Sequence, residues 1–389
     1  MKGVAGRPHP RVSPSPSLPV AESPRPRASV VLNSPRIVSF LPSATEIACA
    51  LGLSDSLLGI THECDYPPDV RTKPVVVRNV LPIERMSQSE IDRAVAERMR
   101  DGLSLYQIDE SLLREIAPDL ILTQDLCQVC APSGNEVSQV LKSLPKTPQI
   151  LWMTPRSLSE IFDNVRDLGA ATGRTTEADA LVNDCTGRLA ALSERMSEAA
   201  TRPRVFCMEW LDPVYASGHW VPELVKIAGG IDELGSERGE SVRVSWDDVA
   251  AWAPEVVVIM PCGFNLQQTM KQIWSVFAPY SSSTGKSHFF DLPAVKNNRV
   301  FAVDANSFFA RPGPRVVEGA ELLARLIHPE LFDDATSSDS FQRVDVDLLR
   351  GVLLEGKDYN LENGAMVFTS SYLQRRGYCC DSGCRNCPY

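Results

Sequence analysis

The chain reads as an α/β protein with two similar lobes, joined by a long helical connection and followed by a small cysteine-rich module. Three features of its 389 residues carry this reading. Short apolar runs alternate with helix-start signals from Arg36 onward, the pattern of a parallel sheet covered by helices. A unit made of a helix, an Ala-Pro-acid turn and an apolar strand occurs at Ala117-Pro118-Asp119 and again at Ala253-Pro254-Glu255. Four cysteines, Cys379, Cys380, Cys384 and Cys387, crowd the C-terminus.

Residues 1–35 stand apart, with eight Pro, six Ser, five Lys or Arg and one acid, Glu22. Such a stretch buries too little apolar surface to offset chain entropy, so it reads as a disordered tail. It also lacks the apolar core of a secretory signal, which places the protein inside a cell, in the cytoplasm or in an organelle such as a plastid.

The N-terminal lobe, 36–155, opens on Arg36-Ile-Val-Ser-Phe-Leu-Pro-Ser43, an apolar strand. Ser43-Ala-Thr-Glu46 has the Ser-x-x-Glu form of a capping box, with the helix ending near Gly52. Leu57–Thr61 is the second strand; Ser111–Ile116, the turn at Pro118 and Leu120–Thr123 supply a short helix, a stop and a third strand. In 156–200, Ser157-Leu-Ser-Glu160 is another capping box, and Leu158, Ile161, Phe162, Val165 and Leu168 fall at helical spacing, with helical patterning resuming through Ala178–Met196. The C-terminal lobe, 201–332, starts with the strand Arg204–Met208. A polar stretch then leads into the cysteine-rich module at 341–389.

In open parallel sheets, ligands bind beyond the carboxyl ends of the strands. The residues that follow the strands are Pro42 and Ser43; His62, Cys64, Asp65 and Tyr66; Cys127 and Cys130; Glu209 and Trp210, with His219 and Trp220 downstream; Cys262 and Phe264; and Asn306 and Arg311. Thiolates and imidazoles ligate soft metals or act as nucleophiles, so His62, Cys64, Cys127 and Cys130 read as a metal site, a redox pair or buried free thiols. Trp210, Trp220 and Phe264 are flat pocket walls for a planar ligand or ordinary core aromatics. Cys49, Cys185 and Cys207 fall inside elements and read as structural. In the tail, four cysteines within nine residues suit a tetrahedral zinc or an iron–sulfur cluster in preference to a disulfide pair.

The formal charge of −10 disfavours nucleic acid as a partner. Apolar runs such as Val256–Met260 are too short for membrane insertion.

Residues 36–332 resemble the cobalamin and iron-siderophore substrate-binding proteins of ABC importers. The resemblance rests on Arg36-Ile-Val-Ser-Phe-Leu-Pro-Ser-Ala-Thr-Glu46, the Ala-Pro-acid repeat, Leu168-Gly-x-x-Thr-Gly173 and Arg299-Val-Phe-Ala-Val303. It implies two Rossmann-like lobes on one backbone helix and a cobalamin-like or other metal-bearing small molecule in the cleft, without chemistry. Leu354–Tyr389 resembles a small uncharacterised cysteine-rich domain. The competing expectation is a thiol- or metal-dependent redox enzyme using the cleft Cys/His cluster.

Overall fold

The computed structural model describes residues 34–124, 141, 144–279, 281, 286–332 and 340–389. The tail at 1–33 and the pair Cys127 and Cys130 lie outside the described residues.

The first lobe is a six-stranded sheet, with β1 (Ile37–Ser39), β2 (Leu57–Thr61), β3 (Val75–Asn79), β4 (Tyr106–Ile108), β5 (Leu120–Thr123) and β6 (Gln149–Trp152) in the order β4-β3-β2-β1-β5-β6. Its pairs are parallel except β3 with β4. β1, β5 and most of β2 are buried along their length, which explains runs without polar alternation. Helix α1 (Pro42–Ala50) follows β1, α2 (Gln88–Arg100) bridges β3 and β4, and α3 (Glu110–Ile116) precedes β5.

The second lobe also holds a six-stranded sheet. It runs β11-β8-β7-β12-β13-β14, where β7 is Val205–Leu211, β8 Val214–Ala216, β11 Val242–Arg243, β12 Val256–Ile259, β13 Val300–Val303 and β14 Phe341–Arg343. This sheet is parallel at its centre (β7-β12-β13) and antiparallel at its other pairs. A small parallel pair, β9 (Gly218–His219) with β10 (Ser236–Glu237), stands beside it.

The Ala-Pro-acid turns are built alike in both lobes. Ala117 and Ala253 cap their helices at φ 43° and 50°. A following proline bars the α region to the residue before it, so the helix must stop there. The acids then serve the sheet: the Arg36 amide donates to Asp119 Oδ2 at 3.0 Å and the Arg204 amide to Glu255 Oε2 at 3.0 Å. Each arginine's Nε reaches back to the helix end, at Ile116 O (2.7 Å) and Ala253 O (3.0 Å).

Two helices join the lobes, α4 (Leu158–Thr172) and α5 (Thr175–Ser197), separated at Gly173, whose φ of 71° ends the first. At 1.5 Å per residue the 23-residue α5 is about 34 Å long, enough to span both lobes. One apolar core runs from Ile37 and Ile47 through Val165, Val182 and Leu189 to Leu323 in α6 (Val316–Ile327), so the lobes and their connection share it, beside a separate core in each lobe.

One sequence expectation is corrected here. Ser43 and Glu46 do not form a capping box: α1 begins two residues earlier, at Pro42, with no side-chain cap, and Glu46 is turned inward. Proline starts the helix with its fixed φ and no amide of its own to satisfy, and Glu46 directs its carboxylate to Arg311 and Arg315 instead of a cap. The cysteine-rich module docks on the C-terminal lobe. Its first strand, β14, pairs antiparallel with β13 as the sheet's edge, and Tyr372 and Leu373 of α7 (Ser370–Arg376) are buried in the C-terminal lobe's second core. Trp274 Nε1 donates to Arg376 O at 3.0 Å, locking the two together.

Candidate functional site: a cleft between the lobes

The carboxyl ends of β1, β5, β7 and β12 face a cavity of about 560 Å³, mid-range for small-molecule sites. Pro42, Ser43 and Gln124 line it from the first lobe; Glu209, Trp210, His219, Trp220, Cys262 and Phe264 line it from the second, with Asn306 and Arg311 at the far wall. Ten of the residues expected from the sequence therefore meet in one place.

The second-lobe wall is organised around Glu209. Its carboxylate is half-buried and accepts from Ser241 Oγ at 2.7 Å and the Gly218 amide at 3.3 Å. Burial pushes its pKa up, against the pull of those two donors. Trp210 packs on Phe264 with ring centroids 5.6 Å apart, and Trp220 fixes its ring by donating Nε1 to Phe309 O at 3.0 Å. The three aromatics are thus both cavity wall and packed interior.

His219 is held in the left-handed region at φ 56°, a conformation that costs a β-carbon-bearing residue free energy and persists only where its surroundings enforce it. Here its amide donates to Gly239 O at 2.6 Å and its carbonyl accepts from the Arg238 amide at 2.8 Å. Burial lowers the imidazole's pKa, favouring the neutral ring. Its Nε2 is sealed from water and finds no partner among the described residues, as do Trp210 Nε1 and Arg311 Nε.

A buried ion network closes one end of the cleft. Arg311 Nη1 donates to Glu46 Oε1 at 3.1 Å and Asp65 Oδ1 at 2.5 Å, and Nη2 donates to Glu63 O at 2.8 Å. Arg315 clamps Glu46 at 2.9 and 2.6 Å and stacks its guanidinium on Tyr66, 4.0 Å from the centroid. Burial opposes the charge on Arg311, but Asp65 and Glu46 more than offset it and raise its pKa.

Four expected residues do not line the cavity. His62, Cys64, Asp65 and Tyr66 lie beside it because the chain turns under α1 after β2. There Cys64 meets Thr45 Oγ1 at 3.1 Å, and burial pushes its thiol up to about 12. That excludes it as a ready thiolate. Asp65 and Tyr66 serve the arginines, and His62 Nδ1 contacts Thr61 Oγ1 at 3.2 Å.

The sequence reading missed the roof. Ile91, Val95 and Met99 of α2, with Leu81, Ile83 and Tyr106, cover the cavity, and Gln88 Oε1 accepts from the Leu211 amide across the lobes at 2.8 Å. The signal was present: Ser87 and Glu90 form a complete capping box, and residues 91, 95 and 99 share one helical face. A separate hollow of about 460 Å³ beside β3 and β4, near Arg78 and Asp109, contains none of the expected residues.

In the tail, the tetrahedral site expected from cysteine spacing is not assembled. No three Cys, His, Asp or Glu side chains among the described residues converge to hold a metal. Adjacent residues turn to opposite partners instead: Cys379 Sγ lies 3.8 Å from Cys387 Sγ, and Cys380 Sγ lies 3.7 Å from Cys384 Sγ. Ser382, together with Arg376, draws the Cys380 thiol down to about 7.

Comparison with known proteins now adds to this geometry. Residues 37–307 match the family model described as periplasmic binding protein, and residues 351–389 match a family of unknown function, DUF5522. The vitamin B12-binding protein of Vibrio cholerae is 25% identical over 291 residues, covering 74% of this chain and 86% of the relative. An uncharacterized ABC transporter substrate-binding lipoprotein of Bacillus subtilis, YvrC, is 25% identical over 77% of this chain and 82% of its own length. Among solved structures, the periplasmic vitamin B12 binding protein BtuF of Vibrio cholerae superposes with a TM-score of 0.55 at 21% identity, over 77% of this chain and 98% of that one. A periplasmic heme binding protein from Pseudomonas aeruginosa superposes with a TM-score of 0.58 at 16% identity, over 79% and 97%. The chain belongs to the periplasmic binding protein family. This overturns the intracellular placement drawn from the missing apolar leader, since the relatives are periplasmic proteins and a substrate-binding lipoprotein.

Proposed function

We propose, from membership of the periplasmic binding protein family, that the protein captures a metal-bearing planar macrocycle, a cobalamin-like corrinoid or a heme-like tetrapyrrole, in the cleft between its lobes. The observation that carries this reading is His219, a neutral imidazole held in a strained backbone on the cavity wall with its Nε2 unpartnered among the described residues. A neutral imidazole nitrogen without a hydrogen-bond partner is a metal donor once the ring turns it from its covered position toward the cavity. Trp210 and Phe264 offer flat apolar surface to the ring, while α2 contributes aliphatic cover through Ile91, Val95 and Met99.

The cavity supports a binding role in preference to the thiol enzyme. Cys64 is a buried thiol outside the lining, and Cys262 is the one cysteine on the wall among the described residues. The ligand assignment draws on the names of the relatives, which bind vitamin B12 or heme. Absorbance titration with cyanocobalamin and with hemin tests it. Saturable binding with a shifted metal-dependent spectrum is expected for one of the two, and His219→Ala is expected to weaken it at least ~10-fold. If neither compound perturbs its own spectrum or the protein's melting temperature, the reading fails.

A further inference from the structure

We propose that the C-terminal cysteines are two thiol pairs, Cys379 with Cys387 and Cys380 with Cys384, that interconvert between dithiol and disulfide by exchange with a disulfide-bearing partner. The geometry assigns the pairing, because each sulfur lies within 4 Å of one partner, at 3.8 Å and 3.7 Å. To form either bond the two sulfurs close from van der Waals contact to about 2.05 Å. No third donor joins either pair among the described residues, whereas a structural zinc site closes four ligands around one point.

The segment is held by contacts that do not involve sulfur. Asn386 Nδ2 donates to Phe368 O at 2.8 Å, Tyr389 Oη to Gln374 O at 3.3 Å, and Arg385 Nη1 to Glu362 Oε2 at 2.6 Å. The reduced pairs are therefore already positioned, and all four sulfurs belong to half-buried residues that a small disulfide can reach.

The two pairs differ in reactivity. Arg376 Nη2 lies 3.4 Å from Cys380 Sγ and favours a thiolate there. Cys379 Sγ instead faces Asp381 Oδ1 at 3.6 Å, a carboxylate that holds the proton on sulfur. Cys380 is thus the attacking group. Its thiolate displaces one thiolate from the partner disulfide and forms a mixed disulfide. Cys384 then attacks the Cys380 sulfur, closing the Cys380–Cys384 bond and releasing the second partner thiolate. In balance, two protein thiols and one disulfide become one protein disulfide and two thiols. The protein is oxidised by two electrons, and the protons pass to the released thiolates. Cys379 and Cys387 follow by the same exchange.

The test equilibrates the full chain with glutathione and glutathione disulfide over a range of ratios, then alkylates and maps the peptides. In excess glutathione disulfide all four cysteines should become protected with the loss of two hydrogens per bridge. Cleavage after Arg385 should leave Cys387 linked to the fragment carrying Cys379. Cys379→Ser should free Cys387 and leave Cys380 and Cys384 bridged, and Cys384→Ser should trap a glutathione adduct on Cys380. The proposal is overturned if wild-type thiols stay alkylatable at every ratio, if Cys379→Ser frees Cys384 instead, or if protection requires a metal ion that a chelator removes. The wild-type arm needs no variant to fold, and none of these outcomes depends on what the cleft binds.

Discussion

Replacing Arg311 by Met tests whether the lobes are joined by a buried ion network or only by apolar packing. The Arg311 and Glu46 side chains are 5% and 3% exposed, so neither retains much hydration to fall back on. An exposed pair would contribute up to about 1 kcal/mol, whereas removing one partner of a buried pair costs about 3–5 kcal/mol because the other charge is stranded. Two features of this site lower the figure. Glu46 keeps both of its bonds to Arg315, at 2.9 and 2.6 Å, and Asp65, 36% exposed, regains water. The expected loss for Arg311→Met is therefore about 2–3 kcal/mol, just below the buried-pair range. Glu46→Gln removes the carboxylate charge shared by both arginines and is expected to cost about 3–5 kcal/mol. Urea unfolding followed by tryptophan fluorescence reads both losses as shifts in midpoint at constant slope. In the double variant they should fall short of additive by at least about 1 kcal/mol, as for groups in one network. Additive losses, or an Arg311→Met loss below about 1 kcal/mol, would refute the account and place this cluster with weak surface pairs.

Two further outcomes follow from titrating groups. If neutral His219 is the metal donor, protonation competes with the ligand, and its pKa is held below the usual imidazole value by burial. Affinity measured by absorbance titration should stay level from pH 8 to about 6.5 and fall only at lower pH; a fall beginning above pH 7 would point to another donor. Asp232 is raised from 3.8 to about 6 by burial, against the pull of the Gly235 amide and Ser217. A raised folded pKa means its stabilising contribution is complete below the unfolded value and is lost as pH rises through about 6. Asp232→Asn should therefore match wild type near pH 4 and melt higher at pH 7, by about 1–3 kcal/mol in stability. Equal differences at both pH values would exclude this titration as the cause.

Much of the second lobe's wall was legible as strand-end chemistry. Glu209 and Trp210 close β7, while Cys262 and Phe264 follow β12, and elementary sheet geometry brings such ends together. The segment after β2 looked equivalent yet was not, because the turn at Thr61–Cys64 folds it beneath α1. Glu46 was misread as a cap because Ser-x-x-Glu is a local pattern, while its true partners are 265 and 269 residues away. The roof helix went unread although its capping box and apolar face were both present. Nothing local says that an amphipathic helix covers a cavity instead of a core.

From the amino-acid order alone came the alternation of strands and helices, the doubled Ala-Pro-acid turn and hence two related lobes, since these depend on backbone rules spanning a few residues. Only the folded chain decided that β14 completes the second sheet, that four cysteines meet as two pairs, and that Arg311 reaches Glu46 across the cleft. Those contacts are chosen by the packing of distant segments around a shared core. Their energies depend on burial and mutual approach, which no short stretch of residues encodes.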